Sequence, residues 1–364
     1  MSVDVPRCPE CGVPEYVSQE HTWLSDGSIV QARMQETRLA FMECENWDPI
    51  WSSISELIGV PIERLVVDAG RRSSRAYMRQ IITDEAREML REGRLSMDAV
   101  FGGVFELAKI LGTADPSFVD VRFEQSGDDY VVVRFRNPFS VPLMVGLLAG
   151  TVEAYTGYTV GFEYRRLPPD SIEAKVFESE RPEELKGRMQ FQPYHAVEGG
   201  IHLERCPGCG APSALSGYKW DIDAGIIISS TTGRRMSLAV GPVMIDAVFR
   251  ELQNELGEDL PRVAVESQRR FVLSGPYAAS QVTGEYDMRQ ELALRGLGEL
   301  AHLKMGRNGV QLTVEHATVP LWVAGLTQGL YELAFREESK VEWELSENAR
   351  LEVKVTPSSS LQGR

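Results

Sequence analysis

The sequence predicts an α+β protein built from two tandem copies of one helices-on-antiparallel-sheet domain, related by a pseudo-twofold axis. Three observations carry this. CPECGVP at Cys8 returns as CPGCGAP at Cys206, 198 residues later. The same offset pairs Trp51 with Phe249, Ile58-Gly59 with Leu256-Gly257, and ERLVVDAGRR (63–72) with PRVAVESQRR (261–270). Finally, VPLMVGLLAG at Val141 meets VPLWVAGLTQG at Val319 at an offset near 178, so the second copy is about twenty residues shorter between these blocks. With a one-residue slip, HTW at Trp23 also meets YKW at Trp220.

The elements follow in order. DPIWSSISELIG (48–59) sets Ile50, Trp51, Ile54, Leu57 and Ile58 on one helical face, and Gly59 closes it. ITDEAREMLREGRL continues helical, with Thr83 as N-cap and Asp84 and Glu85 in the first turn, where the helix dipole favours them. SMDAVFGGVFELAKILG is a further helix. FVDVRFEQSGDDYVVVRFRN alternates with period two about a Gly-Asp turn and reads as a hairpin. VPLMVGLLAGTVEAYTG is an apolar helix. GYTVGFEYRR and SIEAKVFES then form a closing strand pair. GVQLTVEHA, VPLWVAGLTQGLYELAF, KVEWELSEN and ARLEVKVT repeat that ending. Glycines four apart in GLLAG (146–150) and GLTQG (325–329) predict close backbone packing, here assigned to the sheet. The expected divisions are a knuckle at 1–24, copy one at 25–180, a linker with the second knuckle at 181–218, copy two at 219–356 and a tail at 357–364.

Two residues between cysteines let both thiolates reach one ion across a tight turn, and the trailing glycine relieves the backbone there. A redox pair would open a helix; here Pro14 and Pro212 follow instead. Each knuckle supplies two ligands, while a structural zinc takes four. Packing about a pseudo-twofold would bring Cys8 and Cys11 against Cys206 and Cys209 to close one all-cysteine, structural site. Competing versions use His21 or His202, or a zinc shared between chains. Enzyme motifs are not evident: there is no phosphate-cradling glycine loop, no HExxH and no GxSxG. Cys44 stands between Glu43 and Glu45, which raise a thiol pKa, so no catalytic residue is assigned.

The formal charge is −15, from 38 Lys plus Arg against 53 Asp plus Glu, with no basic stripe. That argues against nucleic acid and anionic membrane surfaces as partners. The longest apolar runs are too short to span a bilayer, and the first residues do not form a signal peptide, so a cytoplasmic protein is expected.

Taken together, SELIGVPIERLVVDAGRRSSRAYM (55–78), VVVRFRNPFSVPLMVGLLAGTVEAYTG (131–157) and the following strand pair resemble the 4-vinyl reductase, or hydrocarbon-binding, domain family. The resemblance implies the fold of TRAPP tethering subunits and of phenol-responsive sensory domains. It also implies a pocket for an apolar or aromatic molecule between helices and sheet. Some members bind zinc through cysteines in the last two strands; those strands contain none here, so that site is not carried over.

The resulting expectation is a non-catalytic, small-molecule-binding or sensory protein stapled by zinc, its output passing through a partner protein. The ligand would be lined by Trp47, Trp51, Tyr77, Phe101 and Phe105, with Arg71, Arg72 or Arg75 holding a polar end. Adjacent arginines on a helix point about 100° apart, so Arg71 and Arg72 cannot form one clamp, and pairing with carboxylates is the plainer role. The pocket is placed in copy one, because copy two lacks residues matching SMDAVFGGVFELAKILG. Alternatives are an enzyme or accessory subunit in tetrapyrrole or aromatic-compound metabolism, and a structural adaptor without ligand.

Overall fold

The fold is seen in a computed structural model that describes residues 5–179, 194–239, 245–275, 277 and 285–361. The charged run of the linker, Arg181 to Lys186, lies outside these residues. In copy one a short helix α1 (Glu15–Glu20) leads into β1 (His21–Trp23), β2 (Ile29–Gln31) and β3 (Arg38–Glu43). Four helices follow: α2 (Trp47–Ile58), α3 (Glu63–Ile81), α4 (Asp84–Arg91) and α5 (Met97–Ile110). The copy ends with β4 (Asp115–Arg122), β5 (Tyr130–Arg136), α6 (Val141–Thr156), β6 (Val160–Leu167) and β7 (Ser171–Glu178). Copy two runs β8 (Tyr218–Asp221), β9 (Ile226–Ser229), β10 (Arg235–Ala239), α7 (Ala247–Leu256), α8 (Leu260–Leu273) and α9 (Glu285–Leu294). It closes with β11 (Glu299–Gly306), β12 (Gly309–Glu315), α10 (Pro320–Phe335), β13 (Ser339–Leu345) and β14 (Leu351–Pro357).

Local chemistry sets these boundaries. Gly59 takes φ +72° and returns its N–H to the Ser55 carbonyl at 3.0 Å, ending α2. The Thr83 hydroxyl accepts from the Ala86 N–H at 3.2 Å and starts α4. The Asp48 carboxylate accepts from the Val141 N–H at 3.1 Å and caps α6 from a neighbouring helix.

The described strands form three antiparallel sheets. Each copy has its own four-stranded sheet, β4-β5-β7-β6 in the first and β11-β12-β14-β13 in the second. The third, β1-β2-β3-β10-β9-β8, takes three strands from each copy. Its centre is the β3–β10 ladder, where Phe41 faces Leu238. Equivalent residues meet in two further places. Trp51 and Phe249 pack with ring centroids 5.4 Å apart, and Cys8 meets Cys206. Self-contact of equivalent positions is what a twofold axis requires, so these three contacts trace the pseudo-axis through the molecule. Helices then cross reciprocally, α2 on α8 and α7 on α3.

Within each copy the glycine face of this helix meets a helix, not the sheet as its spacing suggested. A Cβ on Gly146 would lie 2.6 Å from the Val67 carbonyl, and one on Gly150 would lie 2.3 Å from the Arg71 carbonyl, both in α3. Gly325 repeats the contact on Val265 of α8. Because backbone blocks the added methyl, α3 itself must shift. Gly150→Ala is therefore expected to cost roughly 3 kcal/mol in a urea unfolding titration; an unchanged midpoint would disprove so close a crossing.

One sequence expectation is corrected. Copy two does have a counterpart to SMDAVFGGVFELAKILG. The carbonyl of Leu111 after α5 accepts from Leu238 N at 2.8 Å, and that of Arg295 after α9 accepts from Phe41 N at 2.9 Å. Gly112 and Gly296 follow with φ +69° and +70°, each pressed against the opposite copy's central strand. So α9 occupies the place of α5 in ten residues instead of fourteen. Among the described residues it is α4 that has no counterpart. The match escaped sequence comparison because position and length survive where residue identity does not.

Candidate metal centre and ligand cavity

Each knuckle is a tight turn held by its own backbone. Cys8 N donates to Val13 O at 2.9 Å and Gly12 N to Cys8 O at 2.9 Å; Cys206 N donates to Ala211 O and Gly210 N to Cys206 O, both at 2.8 Å. Gly12 and Gly210 sit at φ +72° and +74°, which glycine adopts without strain. Arg7 then donates to the Trp220 carbonyl at 2.9 Å, while Arg205 donates to the Trp23 carbonyl at 2.7 Å. Each knuckle is thereby tied to the other copy's strands of the shared six-stranded sheet.

The result brings all four cysteines together. Cys8 and Cys206 sulfurs are 3.8 Å apart, those of Cys11 and Cys209 are 3.5 Å apart, and all four lie within 4.8 Å of one another. Such a tetrad is compatible with a metal site. N–H groups of Cys11 and then Glu10 point at the Cys8 sulfur and draw its pKa down to about 7, so thiolate forms near neutrality. Desolvation holds Cys11 up at about 12; a bound dication reverses that preference by neutralising the thiolates.

Neither candidate histidine belongs to this cluster. His202 is exposed. His21 is buried, with Nδ1 3.0 Å from the Val17 carbonyl, and burial pushes its pKa down to about 4. A depressed histidine pKa contributes stability that is present above the unfolded value of about 6.5 and lost as pH falls through the folded value. Between pH 6.5 and 4 the wild type should therefore lose about 3 kcal/mol that His21→Gln does not, read from denaturant titrations across that range. Parallel pH profiles for the two proteins would refute the buried neutral imidazole. Cys44 is likewise buried, and desolvation raises its thiol to about 12, which suits a packing residue.

Copy one also contains an apolar cavity of about 130 Å³. Its walls are α3, α5, α6 and the underlying strands β4 and β5. Helix α3 contributes Ser73, Ser74, Tyr77 and Met78; α6 contributes Met144, Leu147, Leu148 and Thr151. Of the residues selected from the sequence, Tyr77, Phe101 and Phe105 line it. Phe101 and Phe105 pack with centroids 5.7 Å apart, and Phe118 of β4 closes on Phe105 at 4.9 Å.

The other selected residues are elsewhere. Trp47 and Trp51 stack on each other at 6.1 Å in the core. Arg71 pairs with Glu153 of its own copy at 3.0 Å, and Arg75 shares that carboxylate at 3.2 Å. Arg72 reaches Glu251 of the other copy at 2.7 Å. The two adjacent arginines thus diverge, as helical geometry demands. Sequence reasoning missed Ser73, Leu111, Met144 and Thr151 as lining residues. The legible signal was that Ser73 and Tyr77 stand four apart, and so share a helix face with the aromatic already selected.

No helix among the described residues is long and apolar enough to cross a membrane. Neither a protein-family model nor a curated protein matches the chain. Solved structures with partial likeness include the phenol-responsive sensory domain of the transcription activator PoxR with phenol. Its TM-score is 0.30 at 14% identity, covering 44% of this chain and 86% of that one. A Cs H-NOX mutant gives a TM-score of 0.25 at 13% identity, covering 34% of this chain and 76% of that one. A further structure, from work on heme distortion in the H-NOX family, gives 0.23 at 14%, covering 32% of this chain and 71% of that one. Likeness at this level says nothing of what this chain binds.

Proposed function

We propose that this protein binds a small apolar or aromatic molecule in the cavity of copy one, without chemistry, and that a structural zinc joins its two copies. In this reading it is a duplicated hydrocarbon-binding domain, with knuckles at 1–24 and within 181–218, copy one at 25–180 and copy two at 219–356. It would act in the cytoplasm and pass its output through a partner protein.

The observation that carries the binding role is the cavity. Well-packed cores leave few voids larger than a water molecule, and this one is lined almost wholly by apolar atoms. Its volume of about 130 Å³ is close to the ~150 Å³ of an engineered apolar cavity that takes up benzene. A single ring fits that volume. The zinc rests on the donor set. Four thiolates at the ~2.3 Å Zn–S distance form a tetrahedron with edges of about 3.8 Å, against the 3.8 and 3.5 Å sulfur separations of the tetrad. A closed four-sulfur shell leaves no position for water, which makes the ion structural.

The test is thermal unfolding with saturating toluene, paired with native mass spectrometry of the purified chain. A ligand that binds only the folded state raises the melting temperature. Met144→Trp, which gives copy one the tryptophan that copy two carries in its matching block as Trp322, should abolish the shift while leaving the fold intact. Equal shifts in both proteins, or none in the wild type, would sink the cavity reading.

A further inference from the structure

No basic stripe runs along the chain, yet folding builds a basic face on copy two. In the sheet β11-β12-β14-β13, Val310, Leu312, Val353 and Val355 turn into the core. The alternate positions Lys304, Gln311, Lys354 and Glu342 form one row across the outer face. Lys304, Lys340 and Lys354 are exposed there, with Arg307 of the β11–β12 turn. These four cations line a concavity of about 700 Å³. Among the described residues Glu342 is its one carboxylate, 3.7 Å from Lys354.

The equivalent face of copy one is closed. By strand register, Lys304 stands where copy one has Asp120, Lys340 where it has Gly161, and Thr356 where it has Phe177. Gly309 likewise stands in the place of Tyr130. In copy one the Phe177 ring lies over Gly161, where an added Cβ would meet it at 2.7 Å. Lys175 is held 4.7 Å from the Tyr130 ring centroid, and the Tyr130 hydroxyl donates to Asp120 at 2.8 Å. Rings thus fill in copy one the space that Gly309 and Thr356 leave open in copy two.

From this we infer that the outer face of copy two's sheet docks an extended acidic segment of a partner protein. In a chain of net charge −15, a local concentration of cations is complementary to acid and steers it to one place. The cations are spread out. Adjacent strands lie about 4.8 Å apart, so Lys304 and Lys354 stand roughly 10 Å apart at the backbone. One phosphate group does not span them; an extended chain, with side chains about 7 Å apart along one side, does. Among its lining residues the face has no aromatic ring and no buried charge, the features that hold a compact ligand. The inference rests on the partner-dependent output proposed above and names its surface.

The experiment follows the fluorescence anisotropy of a labelled peptide of alternating glutamate and serine, titrated with the full chain. It is run at about 50 mM salt, where screening sets in beyond ~10 Å. Wild type should bind this peptide at least about tenfold more tightly than Lys304→Glu/Lys340→Glu, because two attractions become two repulsions, each worth up to about fivefold. Lys175→Glu on the closed face of copy one should stay within about twofold of wild type. Equal affinity in wild type and the double variant, or no binding by wild type, overturns the inference. So does tighter binding of inorganic tripolyphosphate or of phosphatidylserine vesicles than of the peptide, since the face would then serve a small polyanion or a membrane. Toluene stabilisation of the same samples separates the two readings. If it persists while peptide binding fails, this inference falls alone; if it fails while peptide binding and its loss in the double variant hold, only the cavity reading falls.

Discussion

If the tetrad holds the zinc proposed above, Cys206→Ser is expected to release it and to lower stability by roughly 5 kcal/mol, a part of the 10–16 kcal/mol with which zinc-finger peptides hold their ion. The loss is a fraction for a structural reason. Val13, Val17, Ala211 and Leu215 around the knuckles are buried in a shared apolar cluster with Trp23 and Trp220, and that packing remains after the ion leaves. The rest of the loss propagates. Arg7 and Arg205 reach across the pseudo-axis from the residues just before each first cysteine, so loosening one knuckle frees both cross-copy ties. Metal analysis should find about one zinc per wild-type chain and none in the variant, and hydrogen exchange should show weaker protection of the β3–β10 ladder. Zinc retained in Cys206→Ser, or an unshifted unfolding midpoint, would reject the staple.

The second large effect concerns the buried ion pair at the centre of the shared sheet. Arg295, 5% exposed, donates from Nη1 to Glu43 at 2.9 Å, pairs again through Nη2, and donates from Nε to the Phe41 carbonyl at 3.0 Å. Glu43 is equally buried and also receives Arg234 at 3.3 Å. A guanidinium in so dry a place depends on its partner carboxylate. Glu43→Ala leaves the Arg295 charge only the looser Glu291 carboxylate at 3.9 Å and should cost about 3 kcal/mol. The pair as a whole is worth much less than that, because desolvating two ions offsets most of their attraction. The double variant Glu43→Met/Arg295→Met should therefore recover most of the loss. Urea unfolding of the wild type, the single variant and the double variant checks both statements. A double variant no better than Glu43→Ala would mean that the pair itself, and not the stranded charge, carries the energy.

Much of the secondary structure was legible from residues alone. Helix α2 and its glycine end, α4 and its threonine cap, and the paired strands of both copies arise from spacings within one turn or one strand, where neighbours along the chain decide the outcome. The repeat was legible for the same reason, since motif and offset are properties of order. The α5 counterpart was not, because α9 keeps the place of α5 without its residues. Nor was the helix partner of GLLAG. Small residues at spacing four announce close approach, but not to which element.

For the site, the division is sharper. By itself the sequence established two cysteine knuckles, the duplication that makes them complementary, and a set of aromatics in copy one. Each of these is written in local spacing. Only the tertiary structure decided that the four sulfurs converge, that Arg71 and Arg72 are taken up by Glu153 and Glu251, and that α3, α5 and α6 leave a cavity between them. Those facts depend on how helices rotate about their axes and how two copies dock. A cavity in particular is space that several distant segments fail to fill, so no single stretch of the chain carries its signature.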